Sequence, residues 1–344
     1  MINGIQHVGI GVRVRERSFH FYNNALGFSV PMSKSTDNCS GMLPLLGKDE
    51  IRNVIIALNP RGGALVEIFQ YVSREPAPIP EKVDFTYNGY LFYGLKVRNL
   101  QGALDIVTRH GGQAVAGPSP FSPLEDRGWK TAVFRDPDGI FGVMLEYPGN
   151  TVGTGGGRTR IGGIEYVAVG VSDLDRSVEF YRSILGYDHV LYRHQGEAPE
   201  WKEMFGGRSM KRALLRRSRP PQGLFRHFLR GGMIELIQVE GNTGRHNFEG
   251  RKWGDIGFME LCFDVDDIGR TMQHINARGV PTAVPTHSQS MGLNTYASFG
   301  YIRDPDGSLL EFADIKSLPV PYILIRLLVN PFVIGTARRL RILR

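Results

Sequence analysis

The sequence predicts an α+β fold of four modules, each a strand, a helix and then further strands, arranged in two pairs. Three internal recurrences predict it. FRDPDGIFGVMLEY at Phe134 returns as FGYIRDPDGSLLEFADI at Phe299, FYNNALGF at Phe21 returns as FYRSILGY at Phe180, and LVEIFQY at Leu65 returns as MIELIQV at Met233. Each DPDG is a turn signal between two apolar runs, so each of those segments reads as a hairpin.

Taken in order, Ile5–Val12 reads as a strand. Arg15–Leu26 reads as a helix, with Phe19, Tyr22 and Leu26 at near-helical spacing and Gly27 as its stop. Val54–Leu58 and Ala64–Tyr71 read as strands around the turn at 59–63. A proline-rich connection, 73–88, leads to the second module: a strand at Leu91–Val97, a helix near Asn99–His110 stopped by Gly111 and Gly112, and the first DPDG hairpin. The glycine-rich PGNTVGTGGGRTRIGG at 148–163 reads as a linker. The pattern then restarts, with a strand at Ile164–Val171, a helix at Asp173–Leu185 and a strand at Met233–Val239. After a loop at 241–256 come a strand at Phe258–Val265, a helix near Asp267–Ala277 and the second DPDG hairpin. The chain therefore divides into 1–150 and 151–316, each of two modules, and a basic apolar tail, 317–344.

Composition bounds the function. An apolar fraction of 42% is enough for a packed core. Two cysteines, Cys39 and Cys262, form neither a disulfide framework nor a metal-ligand spacing, which suits a reduced cytoplasmic setting. The N-terminal MINGIQHVGIGV does not have the form of a signal peptide. The net charge of +7 is mostly a property of the tail. Residues 322–344 hold five arginines and no acid, which leaves +2 for the rest and argues against nucleic-acid binding. Arg326 and Pro331 interrupt any spanning helix there, so the tail reads as a peripheral membrane contact or a self-association element. The stretch 201–219 reads as a strand with a solvated basic face, or as a patch for an anionic substrate.

The chemistry sits on glutamates in apolar strands. Glu311 lies between Leu310 and Phe312, and a carboxylate in such a place is paired, metal-bound or facing water. Glu67, Glu146 and Glu235 stand in comparable places.

This module order, opened by HVGIGV and closed by DPDG and a following glutamate, resembles the vicinal oxygen chelate superfamily (glyoxalase, bleomycin resistance and extradiol dioxygenase proteins). The resemblance covers about 5–315. It implies βαβββ modules whose sheets pair into a cup around a metal, with ligands from the first and last strand of each module. By position, module one offers His7 and Glu67, module two Phe92 and Glu146, module three Tyr166 and Glu235, module four Glu260 and Glu311. Pairing of neighbours leaves each site spoiled by one aromatic. Pairing of first with fourth yields a complete set, His7, Glu67, Glu260 and Glu311, and is the expectation here. Phe92 and Tyr166 then read as core or pocket wall. His189, His194, His227, His246, His274 and His287 match no ligand position.

One imidazole and three carboxylates suit one divalent ion, Fe²⁺, Mn²⁺, Co²⁺, Ni²⁺ or Zn²⁺. Such a site, at a net charge of about −1 with the ion, fits a metal-dependent isomerase or epimerase. It would act through an enediolate on a small hydroxyketone, ketose-like or acyl thioester substrate, with Glu67 or Glu311 as general base. The alternatives are an Fe(II)-dependent ring-cleaving dioxygenase, against which Glu260 counts because it replaces that branch's second histidine, and a metal-free small-molecule binder. The last would leave three carboxylates without a cation.

Overall fold

Strands apolar on both faces need cover on both sides, whereas edge strands tolerate polar alternation. That contrast organises the molecule. The computed structural model describes residues 1–81, 83–148, 161–222, 229, 232–292, 295–315 and 336. Module one comprises β1 (Ile2–Gly11), α1 (Arg15–Asn24), β2 (Val30–Asn38), β3 (Ile51–Leu58) and β4 (Leu65–Tyr71). Module two comprises β5 (Gly89–Val97), α2 (Leu100–Arg109), β6 (Gln113–Pro120), β7 (Lys130–Arg135) and β8 (Phe141–Glu146). Module three comprises β9 (Ile161–Gly170), α3 (Leu174–Leu185), β10 (His189–Gly196), β11 (Met210–Arg216) and β12 (Met233–Val239). Module four comprises β13 (Gly257–Val265), α4 (Ile268–Asn276), β14 (Thr282–Gly292), β15 (Thr295–Arg303) and β16 (Leu309–Ile315).

The strands form two curved mixed sheets of eight, ordered β14-β15-β16-β13-β1-β4-β3-β2 and β10-β11-β12-β9-β5-β8-β7-β6. Module one therefore pairs with module four, and module two with module three; modules one and two do not pair with each other, nor do three and four. Each sheet takes one module from either side of the 148–163 stretch, most of which (149–160) lies outside the described residues, as does the 317–344 tail apart from Thr336. Among the described residues no helix is long and apolar enough to cross a membrane.

The central strands β5, β9 and β13 are buried along their whole length. One face of each sheet and the four helices share a single core, which includes Ile5, Val8, Tyr93, Val167 and Phe263. The opposite faces are concave and carry separate clusters, Phe92, Phe121, Tyr166 and Trp201 in one cup and Phe69, Tyr71, Trp253 and Tyr301 in the other. The sequence analysis did not foresee β2, β6, β10 or β14. These are the outermost strands, polar and partly exposed, so they lack the apolar runs by which the others were read. Arg212 on β11 departs from the solvated basic face expected of 201–219, because it is fully buried.

Two braces recur in the modules. A side chain late in each module's last strand accepts a hydrogen bond from the first amide of that module's helix: Gln70 from Arg15 at 3.0 Å, Glu146 from Leu100 at 3.2 Å, Gln238 from Leu174 at 3.1 Å and Asp314 from Ile268 at 3.1 Å. These amides have no partner within the helix, so the brace supplies an acceptor they otherwise lack. The DPDG turns are closed by their first aspartate. Asp136 accepts from the amides of Asp138 and Ile140, and Asp304 from those of Asp306 and Ser308. A tyrosine of the preceding module's helix donates to each, Tyr22 to Asp136 at 2.9 Å and Tyr181 to Asp304 at 3.0 Å. Because modules one and two lie in different sheets, as do modules three and four, these bonds tie the two sheets together.

Burial pushes Asp136 up to about 7 and Asp304 up to about 6. A carboxyl whose folded pKa is raised contributes stability at acid pH that is lost as pH climbs through that value. The tyrosine bonds oppose this by favouring the charged form. Tyr22→Phe and Tyr181→Phe are each expected to cost about 1–3 kcal/mol at neutral pH, and the penalty should grow between pH 5 and pH 8. Urea denaturation at several pH values measures this, and a penalty independent of pH would contradict it.

Candidate metal centre

The centre forms at the seam where β1 runs antiparallel to β13. Ligand-type side chains on facing strands need space, and the register provides it. Gly9 lies opposite Glu260, and Cys262 lies opposite His7. A Cβ on Gly9 would sit 2.4 Å from Glu260 Cγ, so glycine is required there for Glu260 to enter the cup. Glu67 and Glu311 come from β4 and β16, the parallel neighbours of the two seam strands.

The four expected residues converge. His7 Nε2 lies 3.1 Å from Glu67 Oε2 and 3.2 Å from Glu311 Oε2. His7, Glu67, Glu260 and Glu311 are all buried and present ligand atoms within 4.8 Å of one another. His7 Nε2, Glu260 Oε1 and Glu311 Oε2 have no hydrogen-bond partner among the described residues. Buried polar atoms without partners are costly, and three of them aimed at one point fit a divalent cation.

The surroundings orient the set. Gln6 Oε1 lies 3.1 Å from His7 Nδ1, which leaves Nε2 for the centre. Trp253 Nε1 donates to Glu260 Oε2 at 2.7 Å. Arg52 Nη1 lies 3.4 Å from Glu67 Oε1. Burial drives Glu260 well above the usual carboxyl range, and the charges of Glu311 and Glu67 push the same way. Burial alone would raise Glu67 too, but Arg52 and His7 outweigh it and hold Glu67 low. Burial disfavours a charged His7, yet Cys262 and the two carboxylates beside it reverse the sign and raise its pKa well above 6.5.

Several contributors were missed in the sequence. Arg52 lies just outside the strand as it was read from Val54 onward, although Arg52, Val54 and Ile56 share one face by strand periodicity. Cys262 has no ligand spacing in sequence but sits across the seam from His7, with a buried thiol near His7 and Glu311. His287, which matched no ligand position, lines the mouth, its ring so close to Gly41 that a Cβ there would lie 2.4 Å away. A cavity of about 140 Å³ opens beside the centre, and its walls include Ser33, Ser35, Asp37, Arg52, His287 and Tyr301.

One assignment needs correction. Glu146 does not occupy the place of Glu311. Counted from the turn glycines, the residue equivalent to Glu311 is Val143, which pairs with Gly94 as Glu311 pairs with Cys262. Glu146 is instead equivalent to Asp314, and both are helix braces. The glutamate was matched three residues out of step because the two hairpins carry acids at different points after the same turn.

The second cup holds no comparable set among the described residues. Phe92 stacks on Tyr166, as expected of wall residues, and Gly94 lies opposite Tyr166 as Gly9 lies opposite Glu260. Glu235, the one carboxylate at a ligand position, accepts from Tyr166, Tyr192 and Arg212. Arg212 also donates to Glu200 at 2.9 Å and lies 3.9 Å from the Trp201 ring. A guanidinium thus takes the role a metal cation would have.

The family model of the Glyoxalase/Bleomycin resistance protein/Dioxygenase superfamily matches residues 4–141 and 163–312. Glyoxalase I from Zea mays has a similar fold, with a TM-score of 0.57 at 14% identity over 97% of this chain and 95% of that one. A mutant of the same enzyme gives 0.56 at 15% identity over 90% and 93%. Among curated proteins none matches the sequence significantly.

Burial and the neighbouring carboxylates raise the pKa of Glu260, and Cys262 and the carboxylates raise that of His7, so the metal-free centre keeps protons on both to higher pH than free side chains would. A divalent ion must displace them, so affinity is expected to rise with pH, with proton release. Titration calorimetry in two buffers of different ionisation enthalpy measures the protons. His7→Ala and Gly9→Ala should each lower the metal content; uptake that is independent of pH, or unchanged in both variants, would contradict the assignment.

Proposed function

The chain belongs to the Glyoxalase/Bleomycin resistance protein/Dioxygenase superfamily, and from that premise we propose that it is a metal-dependent isomerase or epimerase acting on a small substrate with two adjacent oxygens. The observation that carries the reading is the donor set itself, three carboxylates and one imidazole with unpartnered atoms facing one point. A divalent ion held by His7, Glu67, Glu260 and Glu311 supplies a Lewis acid that acidifies the C–H beside a substrate carbonyl.

The protein's own residues divide the remaining work. A carboxylate must take the proton from that carbon, give it back at the neighbouring position or the opposite face, and be free to move. Glu67 is poorly suited, because Arg52 and His7 hold its two oxygens and keep it anionic. Glu311 is better placed. Among the described residues it forms no ion pair except that with His7, and it borders the cavity. We assign it as the general base, with Glu67 as an anchored anion. Arg52 also revises the charge of the centre: its cation brings the net with a divalent ion from about −1 to about zero. The donor set contains a single imidazole, which does not favour the ring-cleaving alternative.

Incubation in D₂O with hydroxyketones tests the reading. Deuterium should appear at the carbon next to the carbonyl. Per metal-loaded site, Glu311→Gln should slow exchange by on the order of 10²–10⁴, and Glu67→Gln should slow it less. Metal-dependent oxygen uptake with catechols and no exchange would overturn the reading.

A further inference from the structure

Resting on that reading of the cup, we propose that the cavity beside the four ligands is a carboxylate-recognition site, and that Arg52 makes the substrate a small hydroxylated keto acid. Arg52 is fixed by its neighbours. Its guanidinium lies 5.2 Å from the centre of the Phe69 ring and 4.9 Å from that of Trp253. The side chain is 13% exposed. Yet Nε and Nη1 are buried and have no hydrogen-bond acceptor among the described residues, and the approach to Glu67 stays at 3.4 Å.

The other cup shows that this chain can saturate a buried arginine. Arg212 donates from Nε to Glu235, from Nη1 to Glu200 and from Nη2 to the Tyr192 hydroxyl. Arg52 instead opens into the cavity that also reaches His7, Glu67 and Glu311. An arginine held in place with its buried Nε–H left open matches a carboxylate.

The rest of the cavity refines the ligand. Its volume of about 140 Å³ corresponds to roughly four or five waters, which fits a compact molecule. Ser33, Ser35 and Asp37 line the same space. Asp37, which accepts from Ser35 at 2.8 Å, is the one acid in the walls besides the metal-site glutamates, and it suits a hydroxyl and not an anion. Asp37 is the cross-strand partner of Arg52, so the carboxylate and the hydroxyl of one compact ligand would meet the two side by side.

Hydroxypyruvate and dihydroxyacetone form a matched pair, alike except that the first carries a carboxylate. Calorimetric titration of each into the metal-loaded wild type, Arg52→Gln and Arg52→Lys tests the assignment, with metal content measured alongside. The wild type should prefer hydroxypyruvate. Compared per metal-loaded site, because Arg52 also contacts the ligand Glu67, Arg52→Gln should weaken hydroxypyruvate by about tenfold or more relative to dihydroxyacetone. Arg52→Lys should recover part of the loss. Equal weakening of both ligands per metal-loaded site, no preference in the wild type, or no binding of hydroxypyruvate would each overturn the proposal. Deuterium exchange separates the two readings. Charge discrimination through Arg52 without exchange would remove the isomerase and leave the recognition site, whereas exchange on both ligands unaffected by Arg52→Gln would do the reverse.

Discussion

Like charges do not gather in a protein interior without a cation to hold them, and the centre of this molecule is built around that constraint. Three glutamates share one buried point with a histidine. In a medium of low dielectric their mutual repulsion is strong, and each also loses its hydration. The surrounding arrangement follows from this. Gly9 gives Glu260 room, Trp253 takes one of its oxygens, Gln6 turns the imidazole, and Arg52 offsets one of the negative charges. A polar network of this kind is stable only when all its members are satisfied, and a divalent ion would complete it.

The second cup answers the same constraint differently. The two sheets have the same strand arrangement and the same seam, with small residues opposite the ligand positions. There Glu235 is the one carboxylate at a ligand position, an aromatic occupies each first-strand position, and Arg212 provides the positive charge from within the chain. A permanent internal cation cannot exchange or accept a ligand oxygen. One scaffold is thus used twice, once as a site and once as a closed core.

Much of this could be read from the chain. The repeat is legible because each module restates the same turn and the same apolar strands. The first-with-fourth pairing was legible only by elimination, as the arrangement that left one ligand set intact. His7, Glu67, Glu260 and Glu311 were recoverable because strand position sets which way a side chain points. What escaped had two physical causes. Outer strands such as β2 and β14 carry polar residues whose pattern resembles a loop. Arg52 lay just before the strand as it was read, and Cys262 owes its place to a pairing between strands distant in sequence, as the seam bond between Gln6 and Cys262 shows across 256 residues. The slip at Glu146 has a third origin: a hairpin motif marks the turn but does not count the residues after it.

The seam has a consequence for how the protein comes into being. At translation speeds of about 5–20 residues per second, β1 leaves the ribosome on the order of ten seconds or more before β13 exists to pair with it. Until then its buried, two-sided strand has an open edge, while β5 and β9, adjacent modules in the chain, can already join. The closed cup is therefore able to form first and act as a template, and the reactive one is completed by the last module to emerge. Its acids are thus kept apart until nearly the whole chain is present, so a metal held by all four residues would be chosen only at the end of folding, in whichever cellular space the finished chain then occupies.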